Sequence, residues 1–229
     1  MQKRVDSRRV RSEATQNALK RAAERLISVR GVENVSIREI LTAAGQKNES
    51  ALQYHFKSLS GLLSAIHAER SEQVQTKRAE TLAALLDGTP TPTLRQICTL
   101  MVLPTFELAR SSVAFRRYIK AFGHELALSE TSPLKHVSTK GGGGASGQQV
   151  GQLLRQALPH LDEDAYRRRM EAAIMLCSVA MYQQARQPHA FRGVKADLFL
   201  HGLIDALVGL LSAPISAETR ALTERAHRP

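Results

Sequence analysis

Ser36-Ile37-Arg38-Glu39-Ile40-Leu41-Thr42-Ala43-Ala44-Gly45, followed by Gln46-Lys47-Asn48-Glu49-Ser50-Ala51-Leu52-Gln53-Tyr54-His55-Phe56, reads as two short helices joined by a tight turn. Ser36 and Glu39 have the spacing of a capping box, in which the hydroxyl accepts from the third amide and the carboxylate reaches back. Ile37, Ile40, Leu41 and Ala44 share one side, and Gly45 stops the helix. Asn48 is a good N-cap. Glu49–Phe56 then reads as a second helix, with Leu52 and Phe56 one turn apart. A DNA-reading helix-turn-helix needs a supporting helix, a tight turn and short polar groups at the exposed start of the second helix. Ala44 and Gly45 permit close approach at the turn. Asn48, Ser50 and Gln53 can reach base edges or phosphates, and Asn or Gln can pair with adenine bidentately. On these residues alone, an ordinary helical hairpin fits equally well.

Upstream, residues 12–29 form a helical pattern with Ala18, Ala22, Leu26 and Ile27 on one face, ended by Gly31. Lys3, Arg4, Arg8, Arg9 and Arg11 face a single acid, Asp6, in the first eleven residues. This basic arm is expected to be unstructured alone and suited to a phosphate track or minor groove. A solvated tail is the alternative.

Downstream, a helix from about Ser60 to Gly88 is apolar at both ends and polar nearly all round between Glu69 and Glu80, as a helix bridging two domains would be. Helical patterns cover about 93–109, with Pro104 inside, and 113–128. Pro133 and Gly141–Gly144 mark a flexible loop, and a short helix covers about 148–158. Residues 162–186 and 194–211 are apolar through their middles, which calls for cover on all sides. A second copy of the chain would supply it, with Leu203 and Leu207 in the interface. Residues 213–229 are polar and expected to fray.

Composition is consistent with this. The 229 residues are 43% hydrophobic, 4% aromatic and free of Trp. Helix formers dominate, and the β-branched enrichment of a sheet protein is missing. The net charge is +11. Residues 1–60 hold twelve Lys/Arg against six Asp/Glu, so +6 lies on about a quarter of the chain, and an anionic partner such as nucleic acid is expected. No apolar run is long enough to span a membrane, and the basic N-terminus lacks the apolar segment of a signal peptide. Cys98 and Cys177 read as reduced core thiols of a cytoplasmic protein. No cofactor or metal is expected, nor an enzyme. His124-Glu125 opens like a zinc-protease motif, but Leu128 stands where the second ligand would be, and the Gly run lacks the strand and Lys/Ser of a phosphate loop.

The sequence Ser36-Ile37-Arg38-Glu39-Ile40, Ala43-Ala44-Gly45, Tyr54-His55-Phe56-Lys57-Ser58 and Leu62, with Arg30-Gly31-Val32 before it, resembles the DNA-binding domain of the tetracycline-repressor (TetR) family over about residues 13–66. Gln53 replaces a frequent tyrosine of that family and Leu59 a frequent basic residue. The spacing from Gly45 to Phe56 is one residue longer than the commonest pattern. The resemblance implies an all-α chain: a three-helix DNA-binding domain with its arm (1–59), then a helical effector-binding and dimerisation domain (60–229). It implies a homodimeric regulator on double-stranded operator DNA, a repressor released by a small, largely apolar effector.

It places Arg38, Tyr54, His55 and Lys57 near the DNA backbone, Asn48, Glu49, Ser50 and Gln53 near the groove, and Lys47 as a further charge. Core packing for Tyr54, a dipole role for His55 and helix stabilisation by Glu49 are the competing roles. Met101, Phe106, Phe115, Tyr118, Phe122 and Met181 are candidate effector contacts, with plain core as the alternative. Pro104 frees the carbonyl of Leu100 for a ligand or water. A helical interaction module without operator specificity, or a ligand carrier, are the rival functions.

Overall fold

The computed structural model describes residues 2–48, 50–135 and 143–226, with side chains from residue 9 onward. Glu49, Gly141 and Gly142 therefore lie outside the described residues, as do the side chains of Lys3, Arg4 and Arg8. Eleven α-helices and no strand are present among the described residues. They are α1 (Gln2–Arg30), α2 (Ile37–Ala43), α3 (Ala51–Phe56), α4 (Leu59–Gly88), α5 (Leu94–Ser111), α6 (Val113–Phe122), α7 (Glu125–Leu128), α8 (Gly144–Ala157), α9 (Glu163–Ala185), α10 (Gly193–Ser212) and α11 (Ala217–Ala226). A 3-10 turn, Val32–Asn34, links α1 to α2.

Outside the helix-turn-helix, four features differ from the sequence expectation. The basic arm is helical, since α1 begins at Gln2 and Arg9 pairs with Glu13 one turn on at 3.0 Å. The expected helix over 113–128 breaks at Gly123-His124 into α6 and α7, and a Cβ at residue 123 would sit 3.0 Å from Tyr182. Gly144 opens α8 instead of lying in a loop. The polar tail forms α11, held by Arg168 donating to Thr223 Oγ1 at 3.2 Å. It buries no residue.

Two apolar cores form. The first gathers Leu19, Ala22, Ala23 and Ile27 of α1, Ile40 and Leu41 of α2, and Leu52 and Phe56 of α3. Leu62 and Ile66 of α4 and Ala121 and Phe122 of α6 complete it from beyond residue 59. The second is built from α5, α6 and α8–α10, with Leu82 of α4. α4 is 30 residues, about 45 Å long, with Leu62 and Ile66 in the first core and Leu82 in the second; the shorter α6 also contributes to both. Both cysteines are free. Burial pushes the Cys98 thiol up to about 11 and that of Cys177 up to about 12.

Leu203 and Leu207 are buried within their own chain, at 6% and 0% exposure, so they do not present a face to a second copy. What α10 leaves exposed is a different stripe, with Val194 and Leu198 on it, the latter 72% exposed. No single helix among the described residues is long and apolar enough to cross a membrane.

Candidate nucleic-acid interface and internal cavity

The capping box forms as spaced. Ser36 Oγ accepts from the Glu39 amide at 3.3 Å, and Glu39 Oε2 accepts from the Ser36 amide at 2.9 Å. Glu39 also accepts from Arg30 at 2.7 Å. The Arg30 hydrogen bond, then those of Ser36, lower the Glu39 carboxyl to about 2. α2 ends in a Schellman motif: Gln46 N–H bonds Leu41 C=O at 2.9 Å, and Gly45 N–H bonds Thr42 C=O at 3.0 Å. Gly45 has φ 68°, yet a Cβ there would meet nothing within 4 Å. The turn thus needs glycine for its left-handed backbone and not for close approach.

α3 begins at Ala51, two residues later than expected. Asn48 does not cap it directly, because its Oδ1 accepts from the Ser50 amide at 2.9 Å and shapes the turn ahead of it. Ala51, Leu52 and Phe56 face inward. Ser50, Gln53, Tyr54 and Lys57, at helical spacing on and beside α3, are exposed, as are Arg38 on α2 and Lys47 and Asn48 in the turn. Tyr54 is 74% exposed, so it is no part of the core, and its ring meets His55 edge-on at 4.9 Å. His55 is half-buried. Arg38, Lys47 and Lys57 have no acidic partner among the described residues. Lys57 adopts φ 67° as the C-cap of α3. Leu59, in place of a basic residue, packs on the first core. Gly61 escaped sequence reasoning: a Cβ there would lie 2.0 Å from the Phe56 carbonyl oxygen, so it sets the approach of α4 to α3.

Above this unit a cavity of ≈ 280 Å³ opens between α4, α5, α6, α7 and α9. Of the residues proposed from sequence, Met101, Phe115, Tyr118, Phe122 and Met181 line it. Phe106 lies elsewhere, edge-on to Phe191 at 5.5 Å, and Pro104 is buried in α5 outside the lining.

One wall is polar and was not legible from apolar periodicity: His67 and Arg70 of α4 and Glu125 of α7. His67 Nδ1 lies 3.2 Å from the Tyr118 hydroxyl and Nε2 3.5 Å from Glu125, while the Phe122 ring meets it edge-on at 4.8 Å. Burial, and then the charge of Glu125, pushes the Tyr118 phenol up. Arg70 donates through Nε and Nη2 to both oxygens of Glu24 on α1, each at 2.8 Å. Burial opposes its charge, but that pairing holds it above its ordinary value. Lys20 of α1 pairs with Glu69 of α4 beside it.

The chain is similar in fold to Salmonella enterica GusR. The two superpose with a TM-score of 0.52 at 21% identity, over 87% of this chain and 96% of that one. No family model and no curated protein matches the sequence. The likeness extends to 87% of the chain, well beyond the 13–66 segment that carries the sequence resemblance, and the all-α class expected from sequence is the one observed.

Proposed function

We propose that the chain is a sequence-specific, DNA-binding transcriptional regulator of the tetracycline-repressor type, acting as a homodimer. The observation that carries this is the face of α2, the turn and α3. A capped, Schellman-terminated helix holds a second helix whose outward side bears Gln53 and Tyr54, flanked by three exposed cations that have no acidic partner among the described residues. Such a face suits a phosphate-lined groove: Arg38, Lys47, Tyr54, His55 and Lys57 take the backbone, and Asn48, Ser50 and Gln53 approach base edges.

The division at residues 59/60 then separates reader from sensor. The cavity takes a small, mostly apolar effector with one polar end toward His67, Arg70 and Tyr118. Its signal reaches the reader through α4, which is tied to α1 by Glu24–Arg70 and Lys20–Glu69. Dimerisation uses the outer faces of α9 and α10, with Val194 and Leu198 exposed at its edge, and buries roughly 2,000 Å² or more. Release by the effector makes the regulator a repressor. DNase footprinting over the promoter of its own gene tests the proposal. Two protected half-sites one helical turn apart, about 34–36 Å, are expected. Uniform protection of all DNA contradicts it.

A further inference from the structure

We propose that the groove between α6 and the turn at 187–192 binds a small multivalent phosphate-bearing anion, at a site separate from both the reader face and the internal cavity. Three independent features converge there.

The first is charge without compensation. α6 turns Phe115, Ile119 and Phe122 inward, and its outer side presents Val113, Arg116, Arg117 and Lys120 at helical spacing. Across the groove stand His189 and Arg192. No carboxylate lines it. Arg116 is spent in part on the end of α5, its Nη1 donating to the carbonyls of Ala109 (2.7 Å) and Arg110 (3.2 Å). Arg117, Lys120 and Arg192 have no acidic partner among the described residues. Asp197, one turn into α10, is taken by Arg110. Like charges gathered this way repel in the empty groove, and an anion relieves that repulsion.

The second is the start of α10. Its N-cap is Arg192, whose side chain caps nothing, and its first turn holds no acid. The positive end of a 20-residue helix therefore adds to the same field.

The third is rigidity. The turn is pinned by Phe191, 0% exposed and edge-on to Phe106, with its carbonyl accepting from Arg110 Nε at 3.2 Å. That anchoring holds His189 at φ 55° and Phe191 at φ 65°. The opposite wall is a helix. The groove encloses ≈ 260 Å³, room for a small molecule and not for a duplex. Several Arg forks around one small volume favour an anion with many oxygens and more than one charge, as in a polyphosphate ester.

The probe is inorganic tripolyphosphate, titrated calorimetrically into the full chain at constant ionic strength, with inorganic phosphate as the monovalent-group comparison. Saturable binding, tighter for tripolyphosphate, is expected. The double variant Arg117→Gln/Arg192→Gln should weaken it by about tenfold or more, while Lys57→Gln on the reader face leaves it unchanged. Because both replaced cations are exposed, the double variant should melt at or above the wild-type temperature and lose the upward shift that tripolyphosphate gives the wild type. Absence of binding at constant ionic strength overturns the proposal. So does equal weakening by Lys57→Gln, which would mean diffuse attraction only. Loss of random-duplex affinity in the double variant, with tripolyphosphate binding nil, would instead make the groove a DNA track.

Discussion

Arg70 on the cavity wall grips Glu24 of α1 through two parallel hydrogen bonds of 2.8 Å, with both side chains almost wholly withdrawn from solvent. Removing one partner strands a buried charge, so Glu24→Leu or Arg70→Met should each cost roughly 3–5 kcal/mol. The double replacement Glu24→Leu/Arg70→Met should recover most of that loss, because a buried pair is often replaceable by apolar groups of similar volume. Urea denaturation of the four proteins closes the cycle. If the pair couples cavity to reader, the double variant keeps operator affinity but loses its response to effector. Intact response in the stable double variant would place the coupling elsewhere.

Phe122 lies in the first core and also lines the cavity. Phe122→Ala should therefore destabilise by about 3–5 kcal/mol and is a poor probe of the sensor. Met101→Phe is the cleaner test. Met101 is half-buried, and the added bulk is expected to occlude the cavity while the melting temperature and operator affinity stay close to wild type. Effector titration of that variant should show binding weakened at least tenfold, about 1.4 kcal/mol.

Lys57 combines a left-handed backbone with a charge. Lys57→Gly removes the strain but frees the unfolded chain. Stability should hold or rise by up to about 1 kcal/mol. Affinity for operator and random duplex should fall alike, and the salt slope should drop by about one unit, as expected on losing one phosphate contact. A large loss of specificity instead would make Lys57 a base reader.

Glu39 sits near 2 in the folded chain, against about 4.3 unfolded. Its contribution to α2 is therefore complete above about 4.3 and lost as pH falls toward 2. NMR titration of its carboxyl should follow that window, and Arg30→Gln should move the midpoint upward. Ser36→Ala removes the cap and should cost about 1 kcal/mol at neutral pH.

Local chemistry was readable where it is written in adjacent residues. The Ser36/Glu39 box and the stop at Gly45 appear as spaced, because capping acts over three or four residues. The bridging α4 was legible from its polar middle, though Arg70 there proved to be a buried ion-pair member facing a carboxylate 46 residues away. Such a partner leaves no periodic trace. The 189–191 turn was missed for the same reason, since Phe191 packs on the distant Phe106. Gly61 was missed because what requires it is the Phe56 backbone carbonyl, which no side-chain pattern records. The burial of Leu203 and Leu207 shows the limit of apolar girth as a guide. A helix apolar all round must be covered, but the pattern does not say which side its own chain covers.

The most direct test of the DNA-reading face is competition anisotropy, with a labelled duplex from the promoter of its own gene challenged by random duplex at two salt concentrations. Operator binding on the order of a thousandfold or more tighter than random is expected, with Gln53→Ala and Asn48→Ala narrowing that gap by about 1–3 kcal/mol each. Equal affinity for both duplexes, falling with the same salt slope and unmoved by either substitution, would contradict it.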